Sequence, residues 1–201
     1  MEHWDHAVQH LSLDSGLAVL LEKYPERLTA TSDAFRTLAN AIVGQQISVK
    51  AGDAIWNRLQ AGLGIQPETL ATASLDTLRS FGLSSRKAEY LQGLAQAFLT
   101  QKVQPKLWPQ KSDEEVIQEL ISLRGIGRWT AEMLLIFHLN RPDVLPLDDI
   151  ALVRAAAQHF GWPQDSDASR RLAERAQAWR PWRTVATWIL WRTQDQEPVQ
   201  Y

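Results

Sequence analysis

Residues 112–154 read SDEEVIQELISLRGIGRWTAEMLLIFHLNRPDVLPLDDIALVR, and this stretch decides the fold. Ser112 is followed three residues later by Glu115, the pattern of a capping box, which predicts that a helix begins here. Apolar residues then recur at helical spacing on one face of that helix. Gly125 and Gly127 bracket a single apolar residue, so they predict a tight turn that ends the helix.

A second apolar helix is predicted from about Arg128, and the sequence at 140–142, Asn-Arg-Pro, ends it. Two helices joined by a glycine hairpin expose backbone N–H groups where the second helix begins. Such a row of N–H groups binds anions, and phosphate is the usual anion. Beyond the hairpin the chain reaches Asp148 and Asp149, which precede a further helix and predict an N-cap.

The rest of the chain is also expected to be helical, because no segment shows sustained period-two alternation. The N-terminal segment, about 3–23, has apolar residues enough for one or two helices. Its three histidines, His3, His6 and His10, share a helical face, for which an exposed polar face is favoured over a metal site. Pro181 is expected at the first position of the last helix.

The 201 residues suit one domain or two small lobes. The chain has no cysteine, which excludes disulfides, thiolate zinc sites and a cysteine-ligated iron–sulfur cluster. We find no signal peptide and no apolar run of membrane-spanning length.

The net charge of −2 argues against a nucleic-acid binder, whose surface is usually basic. The charge is unevenly distributed, however. Residues 170–192 carry six arginines and one glutamate, a net charge of +5, and residues 79–106 carry five basic residues and one glutamate, a net charge of +4. Residues 1–26 have a net charge of −4. This distribution is compatible with one positive face.

The chain resembles the helix-hairpin-helix DNA glycosylase superfamily, in particular its DNA-3-methyladenine glycosylase II branch. The hairpin pattern L-x-G-[IV]-G-x-x-T-A occurs at 123–131, and Asp149 follows Gly127 by 22 residues, close to the family spacing of its catalytic aspartate. Three further segments match in the family's order, and together the matches run from about residue 35 to 192. They are AIVGQQIS (41–48), GLSSRKAEYL (82–91) and WRPWR (179–183).

The resemblance implies an all-α fold of two lobes with the active cleft between them. One lobe would span about 31–140 and contain the hairpin, 112–138. The other would combine about 1–30 with 141–201. Neither an iron–sulfur cluster nor the N-terminal β domain of some relatives is expected, since barely 30 residues precede the first matching segment.

The implied activity is hydrolysis of the N-glycosidic bond of alkylated bases, of the 3-methyladenine and 7-methylguanine class, in duplex DNA, as the first step of base excision repair. Asp149 would be the catalytic carboxylate, stabilising the oxocarbenium-like transition state and assisting water attack. Taken alone, the Asp148-Asp149 pair is a helix N-cap, and both roles are compatible if Asp148 lies nearer the cap.

By the same resemblance, Trp129, Met133 and Trp191 line the base pocket, although tryptophans in helical stripes usually pack in cores and this chain has nine. Trp129 stands where lyase-active relatives carry a Schiff-base lysine, which implies a monofunctional enzyme. Met133 stands where an alkyladenine relative has a tyrosine.

The turn at Gln45 and Gln46 would enter the duplex and fill the gap left by the flipped base, or it is an ordinary polar helix junction. The hairpin would bind DNA phosphates through five residues: Gly125, Ile126, Gly127, Arg128 and Thr130.

A rival interpretation keeps the hairpin as a DNA-binding element without catalysis, and a lyase-active glycosylase is disfavoured by Trp129. We expect double-stranded DNA containing alkylated bases as partner, with no cofactor, no metal and no membrane. We further expect a monomer in the cytoplasm, associated with the nucleoid.

Overall fold

The computed structural model describes residues 3–194, and these residues contain helices and no β-strand. In chain order the α-helices are α1 (Trp4–Leu11), α2 (Ser15–Lys23), α3 (Ala34–Gly44), α4 (Val49–Gly62), α5 (Pro67–Thr72), α6 (Leu75–Ser80), α7 (Ser85–Leu99), α8 (Asp113–Ile121), α9 (Arg128–Phe137), α10 (Ile150–Phe160), α11 (Ala168–Arg175) and α12 (Arg183–Trp191). A 3₁₀ helix, Pro105–Gln110, precedes α8. The all-α fold class expected from the sequence is therefore confirmed for this part of the chain.

The described residues divide into two compact units. The first, which we call the hairpin unit, is Thr31–Leu139 and contains α3 to α9. The second, which we call the terminal unit, combines residues 3–30 with 140–194 and contains α1, α2 and α10 to α12.

Helix α3 is the centre of the hairpin unit. It packs against α4, α7 and α9, and eight of its eleven residues are buried, from Ala34 to Val43. A helix that is apolar on nearly all sides is stable only when neighbours surround it. Asp33 caps its first turn by accepting a hydrogen bond from the Arg36 backbone N–H at 3.0 Å. This helix thus holds α9 and the turn that follows Gly44 on one scaffold.

A part-buried glutamate fixes the entry into α8. The carboxylate of Glu119 accepts hydrogen bonds from the Gln104 backbone N–H (2.8 Å) and from the indole N–H of Trp108 (3.0 Å), and it pairs with Lys111. The Trp108 side chain itself is fully buried. The 3₁₀ helix is therefore tied to the middle of α8, which orients the first helix of the hairpin.

In the terminal unit, Asp14 joins the two ends of the chain. Its carboxylate caps α2 and accepts hydrogen bonds from the guanidinium of Arg175 (2.6 Å and 3.0 Å) and from the indole N–H of Trp179 (2.9 Å). Burial opposes its ionisation, but the hydrogen bonds from Arg175 and Trp179 outweigh that penalty and hold the pKa of Asp14 below its usual value.

The N-terminal histidines take part in packing. The ring of His3 lies 5.7 Å from the ring of Trp182, and Nε2 of His10 contacts the carbonyl oxygen of Ala178 at 2.8 Å. Within residues 3–194 no group of three or more histidine or acidic side chains is arranged to hold a metal ion.

The prediction for Pro181 was wrong: Pro181 does not start the last helix, because α12 begins at Arg183 and Trp182 occupies its N-cap position. Pro67 does occupy the first turn of a helix, α5, where a missing N–H costs no helical hydrogen bond. Across residues 3–194, none of the helices combines the length and hydropathy that crossing a lipid bilayer requires.

Candidate functional site

The capping box at Ser112 is present as predicted. The Ser112 hydroxyl accepts a hydrogen bond from the backbone N–H of Glu115, whose carboxylate accepts one in return from the backbone N–H of Ser112 at 2.8 Å. Three acidic residues in this first turn also complement the positive end of the helix. Helix α8 therefore begins with its orphan N–H groups satisfied.

Gly125 is the residue that lets the hairpin turn. Its φ is +89°, in the left-handed region that favours glycine. A Cβ at this position would lie 2.1 Å from the ring of Tyr90, which belongs to α7. Both the backbone conformation and the packed aromatic ring therefore require glycine here.

Gly127 starts α9 and is different in character. It is the N-cap residue in an extended conformation (φ −95°, ψ 177°), it is exposed, and it has no side chain to cap the helix. A Cβ added here would meet nothing within 4 Å. The first N–H groups of any α-helix lack intrahelical partners, and Gly127 adds no side chain that could cover them. This is the geometry of an anion site.

Arg128, the first residue of α9, is held by two carboxylates. Its guanidinium pairs with Glu114 at 2.9 Å and with Glu132 at 3.2 Å. The hydrogen bond from Arg128 lowers the pKa of the Glu114 carboxyl and raises the pKa of the guanidinium. In this structure the cation that was predicted to meet phosphate is thus paired across the hairpin with α8.

The side chains of Ile126 and Thr130 are buried, so the predicted contact of these two residues with phosphate falls to their backbone N–H groups. The Ile126 backbone N–H bonds to the carbonyl oxygen of Leu123 at 3.2 Å. The Thr130 hydroxyl oxygen receives a hydrogen bond from the side-chain amide of Gln45 at 3.0 Å. Both residues shape the hairpin from within.

Gln45 connects the hairpin to the turn between α3 and α4. Its side-chain NH₂ also donates to the carbonyl oxygen of Gly125, again at 3.0 Å. The side chain of Gln45 is therefore directed at the hairpin. No local sequence pattern predicts this contact, because Gln45 and Gly125 are 80 positions apart.

Gln46 has the conformation of a functional residue. It is exposed and its φ is +57°, which is uncommon for a residue with a side chain. Ile47, next in the chain, is also exposed at 39%, and Ser48 then caps α4 by accepting from the backbone N–H of Ala51. A strained and exposed turn between two helices is typical of a contact element.

Trp129 and Met133 lie four residues apart on α9 and so share one face of that helix. Trp129 is partly exposed, whereas Met133 is fully buried. Burial of Met133 agrees with a core role, while Trp129 keeps part of its indole accessible in the second position of the helix.

Asp149, and not Asp148, is the N-cap of α10, which corrects the order expected from the sequence. Its carboxylate Oδ1 accepts the backbone N–H of Leu152 at 2.8 Å, and its φ and ψ are −79° and 105°. Asp148 is exposed and lines a cavity of about 320 Å³ between α10 and the segment 164–169 of the terminal unit. The capping explanation therefore applies to the same residue as the catalytic hypothesis.

Trp191, the last residue of α12, is partly exposed. The next residue, Arg192, is buried, lies 3.7 Å from the carboxylate of Glu26 and faces the ring of Tyr24 at 5.5 Å. Trp191 thus lies at the edge of a packed part of the terminal unit, and part of its indole ring is accessible.

The arginine-rich segment 170–192 does not form the positive surface that its net charge suggested. All six arginines pair with carboxylates, and several of these lie far away in the sequence. The pairs are Arg170 with Asp167 and Glu174, Arg171 with Asp165, Arg175 with Asp14, Arg180 and Arg183 with Asp143, and Arg192 with Glu26. These arginines hold the terminal unit together.

The basic segment 79–106 is less compensated. Among the described residues, no carboxylate lies within ion-pair distance of Arg86, Lys87, Lys102 or Lys106, and Arg86, Lys102 and Lys106 are exposed. The positive charge available to an external anion in the hairpin unit therefore lies partly on α7 and on the segment that follows it.

The sequence and the fold were compared with known proteins. Residues 39–181 match the HhH-GPD superfamily of base excision DNA repair proteins. The chain belongs to this superfamily. The matched region contains the hairpin of α8 and α9 as well as Asp149.

Among curated relatives, the chain is 33% identical over 174 residues to DNA-3-methyladenine glycosylase 1 of Schizosaccharomyces pombe, which covers 84% of this chain and 76% of the relative. It is 31% identical over 185 residues to DNA-3-methyladenine glycosylase 2 of Escherichia coli, covering 86% of this chain and 62% of the relative. Similarity to glycosylases of this type thus extends over most of the chain.

Solved structures of HhH-GPD proteins share the fold. The S. pombe 3-methyladenine DNA glycosylase in complex with abasic DNA superposes with a TM-score of 0.85 at 31% identity, covering 98% of this chain and all of the other. The 3-methyladenine DNA-glycosylase of Archaeoglobus fulgidus gives a TM-score of 0.82 at 25% identity, covering 94% of this chain and 69% of the other.

Proposed function

We propose that this HhH-GPD protein is a monofunctional DNA glycosylase that removes alkylated bases from duplex DNA as the first step of base excision repair. The observation that carries the proposal is the carboxylate of Asp149 at the N-terminus of α10, 22 residues after the hairpin glycine Gly127. Several relatives named DNA-3-methyladenine glycosylase, and the S. pombe structure that contains abasic DNA, support the reaction and the partner.

The hairpin supplies a phosphate-binding element at Gly127, the N-cap of α9, which we call the phosphate grip. The N-terminus of α9 combines N–H groups that have no partner within the helix with the positive end of the helix dipole, and Gly127 adds no side chain in the way of a phosphate. Phosphate contacts position a duplex and carry no lesion information. This element therefore explains binding and not selectivity.

The turn at Gln46 supplies the wedge, by which we mean the side chain that enters the duplex in place of the flipped base. An enzyme that acts on a base must take it out of the stack, at a cost of a few kcal/mol. Gln46 is exposed and held in a left-handed conformation, so it is presented for insertion into the gap. Its amide offers hydrogen bonds to the base left without a partner, which an apolar wedge does not.

Asp149 supplies the charge for the chemistry. Cleavage breaks the bond between C1′ and the base nitrogen, and the bonding electrons leave with the base. The resulting cationic sugar is stabilised by the carboxylate and captured by water, whose proton the carboxylate accepts. The hydrogen bond from the Leu152 N–H holds this carboxylate at the N-terminus of α10.

The proposed site contains a carboxylate for the sugar and no proposed general acid for the base, which suits a base that departs without being protonated. A base alkylated at N3 of adenine or N7 of guanine already carries positive charge, so it departs neutral without being protonated. We propose that the partly exposed indoles of Trp129 and Trp191 bind such bases, since an aromatic face attracts a cation, and that Met133 limits the depth of the pocket.

Trp129 also supports the monofunctional assignment. A lyase needs an amine nucleophile at the site to form a Schiff base, and the second residue of α9 is this tryptophan. We further propose that the chain acts as a monomer, because the grip, the wedge and the carboxylate all come from one chain. A DNA repair enzyme of this kind works where the DNA is, in the cytoplasm with the nucleoid.

The test is incubation with duplexes that each carry one lesion, 3-methyladenine, 7-methylguanine or hypoxanthine, followed by analysis of free base and of strand integrity. We expect release of the charged bases, an abasic site, and strands that stay intact until alkali is added. Binding without release would favour the non-catalytic rival, and a borohydride-trapped protein–DNA adduct would show a lyase.

A further inference from the structure

Lys87 makes contacts that the function proposed above does not use. It is the third residue of α7, and its ammonium donates hydrogen bonds to the backbone carbonyl oxygens of Val43 at 2.8 Å and of Gln45 at 2.7 Å. Burial lowers the pKa of this ammonium. Within the described part of the chain no carboxylate pairs with it. Burying a lysine ammonium that only carbonyl oxygens contact costs free energy. We therefore infer that the position of this ammonium is important.

The two carbonyls lie on either side of Gly44, the last residue of α3. The last carbonyls of a helix have no intrahelical partner and lie at the negative end of its dipole, so a cation there is favourable. By binding both oxygens, the ammonium fixes the direction in which the chain leaves α3. The next residue, Gln46, is the one with the left-handed φ.

The same turn is tied to the hairpin through Gln45. Its carbonyl oxygen accepts from Lys87, while its side-chain NH₂ donates to the Gly125 carbonyl oxygen and to the Thr130 hydroxyl. One residue therefore links the ammonium, the turn and the hairpin.

Helix α7 also supports the hairpin directly, one turn further on. The ring of Tyr90 fills the space beside Gly125, and Glu89 pairs with Arg124 of the hairpin at 3.0 Å. Three residues within one turn of α7, Lys87, Glu89 and Tyr90, thus contact the two elements that the proposed function assigns to DNA.

We propose that Lys87 is a positioning residue that sets the register between the wedge and the phosphate grip. This inference rests on the proposed function, because the wedge role of Gln46 belongs to it. With the turn fixed to the hairpin by Lys87 and Gln45, a phosphate held at Gly127 places Gln46 at one defined step along the duplex. Without the ammonium, the hairpin still binds phosphate, but Gln46 is no longer presented at that step.

The chain offers a matched control for this idea. Arg86 precedes Lys87 on the same helix turn and carries the same charge, but it is exposed. Lys87→Met removes the charge together with the two hydrogen bonds, whereas Arg86→Met removes the charge alone. Lys87→Arg keeps a cation that can donate to both carbonyls.

The experiment measures wedge insertion separately from catalysis. A duplex carries a tetrahydrofuran abasic analogue with 2-aminopurine as its neighbour, and the fluorescence increase at saturating protein reports unstacking by the wedge. We expect Gln46→Ala to lose most of the increase and Lys87→Met to reduce it about tenfold, with the double variant no worse than Gln46→Ala alone, because residues acting through one another are non-additive. Lys87→Arg should recover most of the signal, and Arg86→Met should retain it.

Additive losses in the double variant, equal losses in Arg86→Met and Lys87→Met, or no signal from the wild type would each overturn the proposal. Circular dichroism checks folding, and if Lys87→Met is unfolded the cycle is run with Lys87→Gln, which keeps part of the stem and one donor. A wild type that shows the Lys87-dependent signal but releases no base from lesion duplexes supports the positioning role and contradicts the catalytic function, so the two failures are distinguishable.

Discussion

Two helix N-termini in this protein have the same backbone electrostatics and different occupants. At the start of α9 the N-cap is Gly127, which is exposed and has no side chain. At the start of α10 the N-cap is Asp149, whose carboxylate accepts the Leu152 N–H at 2.8 Å. Each helix end carries about half a unit of positive charge. The positive end of α9 is open to an external anion, whereas the positive end of α10 is occupied by the carboxylate of Asp149.

We propose that this difference separates binding from chemistry. An open N-terminus suits a ligand that must come and go, such as a DNA phosphate. An N-terminus occupied by its own carboxylate suits a group that must stay in place beside a developing cation. The two ends are joined by only 22 residues of chain, yet they belong to different units of the fold.

The largest effect is expected at the N-terminus of α10. Asp149→Asn keeps a capping oxygen but removes the charge, so the single-turnover rate of base release should fall by about 10² to 10³, with lesion-duplex affinity nearly unchanged. Asp148→Asn is the matched control, since Asp148 is exposed and does not cap α10. Equal and mild losses in both variants would reduce Asp149 to a cap and favour the binding-protein rival.

The next largest effect, on the affinity for DNA, is expected when the N-terminus of α9 is given a carboxylate of its own by Gly127→Asp. Gly127→Asp meets no steric obstacle and imitates Asp149, so we expect the free energy of unfolding to rise by about 0.3 kcal/mol. Affinity for every duplex, damaged or not, should fall roughly tenfold to hundredfold, because a carboxylate now opposes the phosphate. Gly127→Asn, which caps without charge, should lose less, as measured by fluorescence anisotropy. Unchanged affinity in Gly127→Asp would show that phosphate does not bind there.

Trp129 is the second residue of α9, and its substitution tests whether this end of the helix also recognises the base. Trp129→Leu should slow release of 3-methyladenine or 7-methylguanine about tenfold more than release of hypoxanthine, because the cation–π attraction exists only for the charged bases. Single-turnover rates on the three lesions measure this. A uniform slowing would mean that Trp129 packs or shapes the site without selecting for charge.

The smallest effect concerns the cation beside the open end. Glu114→Gln should remove one of the two carboxylates that pair with Arg128 and leave Glu132 as its partner. We expect binding to all duplexes to tighten a few-fold and the dependence of log affinity on log salt to steepen by at most about one unit, the value for one added phosphate contact. Gln118, which also contacts Glu114, is the control position as Gln118→Ala. A salt dependence that stays the same would show that Arg128 does not reach the DNA.

The hairpin could be predicted because its determinants are local. Ser112 and Glu115 cap one helix within one turn, and Gly125 is required by the backbone itself. Propensity and capping act over a few residues and are therefore readable in the sequence. The N-cap before α10 was also foreseen, although the capping residue is Asp149 and not its neighbour.

What could not be predicted depends on contacts between distant parts of the chain. The six arginines of 170–192 looked like a DNA-binding surface, but acids as distant as Asp14 and Glu26 neutralise them. Lys87 stood in a recognised segment without an assigned role, because its partners are backbone carbonyls 42 and 44 residues away. The net charge of a segment does not show which charged residues pair in the folded protein.

The most direct measurement gives both quantities, affinity and rate, for the wild type, Gly127→Asp and Asp149→Asn on one 7-methylguanine duplex. The dissociation constant comes from anisotropy, and the rate comes from base release at saturating protein. We predict opposite outcomes: Gly127→Asp loses affinity and keeps most of its rate when saturated, while Asp149→Asn keeps affinity and loses rate. If both variants lose affinity and rate together, the two helix ends do not divide binding from chemistry, and the account is contradicted.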